Sequence, residues 1–339
     1  MKNPQISVIM STYNTKKEML LMAINSILNQ TYKNFEFIII NDGGDDINLI
    51  KLINDERIVI IKHDNRLGLP QSLNEAIHVS KGKYIARMDS DDYSLPNRLE
   101  LQKEFMDNNP NIDICGTYYK YFGENKKLEL NVLNDYKSVR CQLFGKNALA
   151  HPTVMIRKSF IEKFNIKYSL DFKYSQDFEL WTRCLNYGNI AIMPKVCFLY
   201  RIHCNQISSK KHKEQMKLYE SILKRNLNNI NLSEKNIKYL KMFNGLEKVD
   251  FLGLSKFIDE AIKNNDFYLY YDKKIFKNIL YYYYFLLALK NINLYKKVKK
   301  DKKILIKIFN FYNITTVLKR LISTFYWFLV IKINKLKVR

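Results

Sequence analysis

Four short apolar runs, interleaved with stretches of helical periodicity, constrain this chain more than any other feature. Ile6 to Met10, Phe35 to Ile40, Arg57 to Lys62 and Lys83 to Ala86 read as strands. An amphipathic stretch from Lys17 to Leu28 and a helical pattern from Pro70 to Ser80 lie between them. Apolar strands alternating with helices of this length are the signature of βαβ units and a parallel sheet. The loops after such strands lie at their carboxyl ends, where open α/β sheets bind ligands. Asn14, Asp42, Arg66 and Asp89 each fall just after a strand, so they are expected to converge on one edge.

The last of these turns is also the most acidic. Arg87-Met88-Asp89-Ser90-Asp91-Asp92 places three carboxylates within four residues. Their mutual repulsion is best relieved by a cation, and hard oxygen ligands suit Mg²⁺ or Mn²⁺ bound together with phosphate oxygens. Taken singly, each turn has a plainer reading. An Asp-x-Asp also occurs in solvated turns, Asp42-Gly43 is an ordinary turn pair, Arg66 reads as a surface charge, and Asn14 reads as a cap. The case rests on their joint order along the chain.

That order carries a resemblance. Ile6-Ser7-Val8-Ile9-Met10-Ser11-Thr12-Tyr13-Asn14, Asn41-Asp42-Gly43-Gly44, Asn65-Arg66-Leu67-Gly68 and Arg87-Met88-Asp89-Ser90-Asp91-Asp92 resemble the ordered motifs of family 2 inverting glycosyltransferases of the GT-A type, over roughly residues 4–210. The resemblance implies an α/β fold: a GT-A, Rossmann-like, mostly parallel sheet flanked by helices, here with a C-terminal α-helical appendage. It implies that Thr12, Tyr13 and Asn14 line a nucleotide base and that Asp42 hydrogen-bonds it, with Arg66 in the same pocket. Asp89 would touch the ribose, and Asp91 would ligate a Mn²⁺ or Mg²⁺ on the donor diphosphate. Gly44 stands where the family usually has serine.

An inverting transfer is a single displacement at the anomeric carbon, so one carboxylate must take the acceptor's proton, a role that supplies roughly 10²–10⁴-fold in rate. No second acid is needed, because the metal-bound diphosphate is already a good leaving group. The candidate base is Asp177 in Tyr174-Ser175-Gln176-Asp177-Phe178-Glu179-Leu180-Trp181, which resembles the family's Glu-Asp or Gln-Asp motif. Ser175 and Asp177 suit a helix start, and Phe178, Trp181 and Leu185 form a stripe that packs such a helix down. An N-cap role for Asp177, with Glu179 as base, is the alternative. Gln176, His151 in His151-Pro152-Thr153, and Arg201 are expected near the diphosphate and acceptor, and His203 near the metal or the leaving group. Arg201 suits phosphate oxygens through its forked donors.

Five cysteines, at 115, 141, 184, 197 and 204, lack paired zinc spacing and read as reduced thiols. Met1 to Gln5 leads into the first strand without a secretory h-region, and no run of about 20 uncharged apolar residues spans a bilayer. Charge is unevenly spread: residues 1–210 carry 28 Lys/Arg against 23 Asp/Glu, and residues 211–339 carry 28 against 10. From Lys296 onward there are 13 basic residues and one acid, Asp301. Leu318, Ile322, Phe325, Leu329, Ile333 and Leu336 share one helical stripe there, so this tail is expected to lie on an anionic membrane surface; packing against the tail's own helices is the alternative. The chain thus divides near residue 210 into a glycosyltransferase domain and a basic, mainly helical region, and is expected to be cytoplasmic and peripheral on the inner face of the plasma membrane.

The expected partners are a nucleotide-sugar donor, with UDP the family's habit and a hexose or N-acetylhexosamine as the sugar, and a surface glycan or lipid-linked acceptor. Two other classes compete. A nucleic-acid binder using the basic tail leaves Asp91 and Asp177 without a role and lacks a zinc-finger or RNA-recognition signature, so no nucleic acid is expected. A non-catalytic binding or scaffold protein on a degenerate transferase fold does not explain why the metal and base positions hold competent residues.

Overall fold

The computed structural model describes residues 3–123, 128–129, 133–203 and 211–291. The basic tail after residue 291, including its apolar stripe, lies outside the described residues. The chain divides into two compact units, one ending at Asn229 and one beginning at Ile230.

The first unit is built on a nine-stranded sheet. Its opening half is all parallel: β1 (Ile6–Thr12) lies between β2 (Phe35–Asn41) and β4 (Tyr84–Asp89), and β3 (Ile58–Lys62) flanks β2. The β1 and β2 side chains are almost entirely buried on both faces, which is why these strands read as unbroken apolar runs rather than as alternations. Helix α1 (Lys17–Leu28) covers the sheet with Leu20, Ala23, Ile24 and Ile27, one apolar stripe at helical spacing. A short α2 (Ile47–Lys51) follows β2, and α3 (Leu69–Val79) follows β3. Gly82 marks where the chain re-enters the sheet: a Cβ there would sit 2.5 Å from the Ser7 backbone nitrogen, so no larger residue fits.

The second half of the sheet is mixed. The strand order runs β3-β2-β1-β4-β8-β6-β9-β5, with β7 (Leu128–Glu129) on β6. Here β8 (Met155–Arg157) runs antiparallel to both β4 and β6 (Ile114–Gly123), while β9 (Ile190–Ile202) runs parallel to β6. The edge strand β5 (Tyr93–Ser94) pairs antiparallel with β9. The seam between the halves is held by a buried polar chain from α4 (Arg98–Asn108). Arg98 donates to the Arg87 carbonyl at 2.8 Å and to Gln102 at 2.9 Å, and Gln102 donates to the carbonyls of Cys115 and Thr153, both at 3.0 Å. Helices α5 (Tyr136–Gln142), α6 (Lys158–Phe164), α7 (Gln176–Cys184) and α8 (His212–Asn228) complete this unit. Helix α8 starts after the boundary expected near residue 210, yet it belongs to the first unit: the Phe178 and Tyr219 rings stack at 4.9 Å, and Asn226 donates to the Leu143 carbonyl at 2.9 Å.

The second unit is helical over its described residues, with α9 (Ile237–Phe243), α10 (Phe251–Tyr268) and α11 (Lys273–Lys290). Asp250 and Asp272 cap α10 and α11, each accepting from a backbone N–H at 3.0 Å. Leu254, Phe257 and Ile258 of α10 and Phe276, Leu280 and Tyr284 of α11 are buried, and the Tyr271 and Phe276 rings stack at 4.7 Å. No helix among the described residues is long and apolar enough to cross a membrane.

Candidate active site

The carboxyl ends of β1, β2 and β4 open into two cavities that share Leu69, Asp89, Asp91 and Tyr174. The first, of about 570 Å³, is lined by Tyr13, Asn14, Asp42, Arg66 and His203 together with the acidic loop. The second, of about 460 Å³, is lined by Asp177, Gln176, His151, Arg87 and a tyrosine wall. The turns after the parallel strands therefore do meet on one edge.

Glycines set the shape of the first cavity. Gly43 has φ +77°, and a Cβ on it would lie 2.7 Å from the Asn65 carbonyl carbon, so the Asn65–Gly68 loop seats directly against this turn. A Cβ on Gly44 would lie 2.8 Å from the Asn14 backbone nitrogen, which gives a steric reason for glycine here. Asn14, itself left-handed at φ 49°, accepts from the Asp45 N–H at 2.9 Å. The Arg66 guanidinium lies 4.1 Å from the Tyr13 ring centroid, forming one flat wall. Asp42 is buried and accepts from the backbone N–H groups of Leu67 at 2.8 Å and Gly68 at 2.9 Å. Thr12 does not line either cavity; its hydroxyl donates to Asp46 at 2.6 Å and anchors the start of α2.

The acidic loop forms the partition. Asp89, Asp91 and Asp92 bring oxygen atoms within 4.8 Å of one another. Asp89 is paired with the buried Arg87, and Asp91 accepts from His203 at 2.8 Å. Asp92 is 1% exposed; one oxygen accepts from the Arg201 N–H at 2.7 Å, and the other is buried with no hydrogen-bond partner among the described residues. Burial and the neighbouring carboxylates push Asp92 well above the usual carboxylate range; burial also raises Asp89, against the pull of Arg87. A buried carboxylate oxygen without a donor, beside two further hard oxygen ligands, fits a divalent cation. Arg201 lies within β9 and lines neither cavity. Its Nε donates to the Asp91 carbonyl at 2.6 Å, and its guanidinium lies 4.3 Å from the Phe122 ring centroid, so it fixes the backbone of the acidic loop.

The second cavity holds the candidate base. Asp177 sits in the first turn of α7, and one of its oxygens accepts from Asn147 at 2.8 Å. Burial raises its carboxyl, opposed by the helix-start N–H of Phe178 and by Asn147. Phe178, Trp181 and Leu185 are buried, and the Phe178 ring stacks on Tyr219, which packs α7 against α8. Glu179, the alternative base, is 2% exposed and locked between Arg183 at 2.9 Å and Arg225 at 3.0 Å; it lines neither cavity. Gln176 is 8% exposed, and its side-chain oxygen has no partner among the described residues. His151 meets the Tyr168 hydroxyl at 2.8 Å, and burial, reinforced by Arg87, holds it well below its usual pKa, so it is neutral. Tyr119, Tyr121 and Tyr200 pack with ring centroids 5.3–5.9 Å apart and close the far side.

Several site residues escape motif reading. Arg87 and Asp92 flank the recognised aspartates within the same motif, and their burial was the missing signal. Asn147 lines the second cavity and donates to Asp177, while His63 and Glu75 reach the site through the tertiary hydrogen bonds of His63 to Asp42 and Glu75. Gln215 of α8 lines the second cavity and donates to the Tyr174 carbonyl at 2.9 Å, bringing into the site a helix from beyond the expected domain boundary.

The comparisons agree with this geometry. The model of Glycosyl transferase family 2 matches residues 7–165. An uncharacterized glycosyltransferase of Methanocaldococcus jannaschii is 34% identical over 215 residues, covering 60% of this chain and 72% of that protein. The O-antigen biosynthesis glycosyltransferase WbnJ of Escherichia coli is 39% identical over 213 residues, 58% of this chain and 80% of WbnJ. The UDP-Glc:alpha-D-GlcNAc-diphosphoundecaprenol beta-1,3-glucosyltransferase WfaP of E. coli is 30% identical, with 62% and 82% covered. In overall fold the chain is similar to S. aureus TarS 1–349 in complex with UDP, with a TM-score of 0.56 at 17% identity over 88% of this chain and 91% of that one. It is also similar to a mannosyltransferase of Pyrobaculum calidifontis in complex with GDP-Man and Mn²⁺, with a TM-score of 0.54 at 13% identity, over 86% and 87%. From the ordered turns, the paired cavities and these relatives together, the chain belongs to glycosyl transferase family 2 and has its GT-A fold.

Proposed function

We propose that this glycosyltransferase moves a hexose or N-acetylhexosamine from a nucleoside diphosphate, UDP in the first instance, to a hydroxyl of a surface glycan or lipid-linked precursor, with inversion. The observation that carries the reading is the partition of the site: a flat Tyr13–Arg66 wall and Asp42 on one side, Asp177 on the other, and the acidic loop between them. That layout supports a nucleotide on one side and an acceptor on the other, with the diphosphate over the carboxylates. The TarS complexes with UDP and UDP-GlcNAc and the lipid-linked acceptor in the name of WfaP support the choice of donor and acceptor class.

In this reading the Tyr13–Arg66 stack forms one wall of the base pocket, Asp42 accepts a base N–H, and Asp89 meets the ribose. Asp91 and Asp92, with His203 beside Asp91, would hold a Mn²⁺ or Mg²⁺, which when bound neutralises charge on the departing diphosphate. Asp177 takes the proton from the acceptor hydroxyl as attack proceeds; its raised carboxyl makes it a stronger base than a solvated aspartate. Asn147 aims that carboxylate, and the unpartnered Gln176 oxygen accepts from a sugar hydroxyl. The tyrosine wall offers apolar ring faces to an acceptor pyranose, a surface typical of sites that fix a ligand with few polar groups. Residues 316–339 carry the proposed contact with an anionic membrane, by charge and apolar stripe, and their deletion is expected to abolish partitioning onto anionic vesicles.

Calorimetric titration of UDP tests the nucleotide site. Binding that requires Mn²⁺ and is lost with EDTA or with Asp91→Ala is the expected result. Silence toward UDP, GDP and dTDP alike would refute the enzymatic reading in favour of a scaffold on a transferase fold.

A further inference from the structure

Beneath the first cavity, His63 is 8% exposed and has a carboxylate on each ring nitrogen: Asp42 lies 2.9 Å from Nδ1, and Glu75 of α3 lies 2.7 Å from Nε2. Both nitrogens must donate, so the ring is an imidazolium. Burial opposes that charge, but the hydrogen bonds from Asp42 and Glu75 outweigh it and raise His63 above its usual value. The consequence falls on Asp42. An ionised carboxylate has about four acceptor positions. His63 and the Leu67 N–H occupy both on Oδ1, and the Gly68 N–H occupies one on Oδ2. Among the described residues, one position remains, on Oδ2, in a side chain that lines the cavity.

We infer that His63, clamped between Asp42 and Glu75, is a positioning residue that leaves Asp42 a single open acceptor and thereby selects an imide base, uracil or thymine, over guanine or cytosine. An imide offers one N–H between two carbonyls, which one open acceptor satisfies. Guanine offers two adjacent N–H groups suited to both oxygens of a carboxylate, and one of those oxygens is already saturated. Cytosine presents a ring-nitrogen lone pair at the matching place, and the carboxylate repels it. A buried acceptor built for one donor discriminates strongly against ligands that leave it unpaired. The inference rests on the nucleotide site proposed above and adds the base class and the residue that sets it.

The test is the Kd of UDP, GDP and CDP with Mn²⁺ for the full chain and for His63→Gln, Glu75→Gln, Asp42→Asn and His63→Gln/Asp42→Asn. The wild-type protein is expected to prefer UDP by roughly tenfold or more. His63→Gln opens one acceptor position on Oδ1, where the Leu67 N–H keeps the other, and loosens the carboxylate, so UDP should weaken roughly tenfold and the UDP-to-GDP ratio should fall toward one. Glu75→Gln, at a part-exposed site that tolerates the change, should shift the ratio the same way by less. The His63→Gln effect should vanish in the Asp42→Asn background. A purely structural role would weaken all nucleotides alike. An unchanged ratio in both single variants, or a wild-type preference for GDP or CDP, would overturn the inference while leaving the nucleotide site standing. No nucleotide binding by the wild type, or UDP binding indifferent to Asp42→Asn, would bring down the nucleotide-site reading and this inference with it.

Discussion

Two carboxylates two residues apart, Asp177 and Glu179, lie in the first turn of the same helix and point to roughly opposite sides, and exchanging each for its amide separates their roles. Glu179 is 2% exposed and accepts from Arg183 at 3.0 and 2.9 Å and from Arg225 at 3.0 Å. Breaking a buried ion pair costs about 3–5 kcal/mol when the partner charge is stranded. Here the partners are not stranded: their side chains are 28% and 39% exposed, Arg183 also donates to the Lys167 carbonyl, and Arg225 to Thr182. The cost of Glu179→Gln therefore falls to about 2–3 kcal/mol, a loss of roughly 4–12 °C in the Tm of a unit of this size. The pH dependence has a definite sign. Burial raises the Glu179 carboxyl, but Arg183 and Arg225 outweigh it and hold it below its ordinary value. Its contribution is then present above the unfolded pKa and is lost as pH falls through the folded one. The Tm gap between wild type and Glu179→Gln should close in acid. Asp177→Asn should leave Tm within about 2 °C but slow release of nucleoside diphosphate from the donor, with water as acceptor, by roughly 10²–10⁴-fold. Thermal melts and that release assay, run below both transitions, decide the matter. A Glu179→Gln protein that melts like wild type yet loses turnover, while Asp177→Asn keeps it, would refute the assignment.

Three further outcomes follow from the same geometry. Because burial raises Asp177 and a general base works ionised, kcat/KM should fall as pH drops through its raised pKa; that acid limb should vanish in the residual rate of Asp177→Asn. Asn147→Ala removes a donor that favours the ionised form, so the acid limb of the rate profile should move to higher pH, with Tm little changed. Gly44→Ser places a Cβ 2.8 Å from the Asn14 nitrogen, which must displace the Tyr13–Asn14 turn; nucleotide Kd should weaken several-fold or more, and a Kd equal to wild type would show that the turn gives way freely.

The amino-acid sequence by itself determined the parallel half of the sheet, because its cues are local. Buried runs such as Phe35–Asn41, the stripe Leu20, Ala23, Ile24 and Ile27, and the Gly43 turn announce themselves within a few residues. The amphipathic stretch expected from about Lys17 to Leu28 is α1. The mixed second half was not legible: β6 depends on pairing with β9 some 75 residues later, a partner that no local cue announces. The same division runs through the site. Motif order marked out Asp42, Asp89, Asp91, Asp177 and His203, and these do line the two cavities. Only the folded chain turned Thr12 toward Asp46, sent Arg201 to the backbone of the acidic loop, and removed Glu179 into an arginine clamp. His63 reaches Asp42 across 21 residues, Asn147 reaches Asp177 across 30, and Arg201 reaches Asp92 across 109. Strand and turn formation are decided by neighbours in sequence. Which hydrogen bonds a side chain makes, and hence whether it faces a ligand or the protein, is decided by neighbours in space, and those exist only once the sheet has assembled.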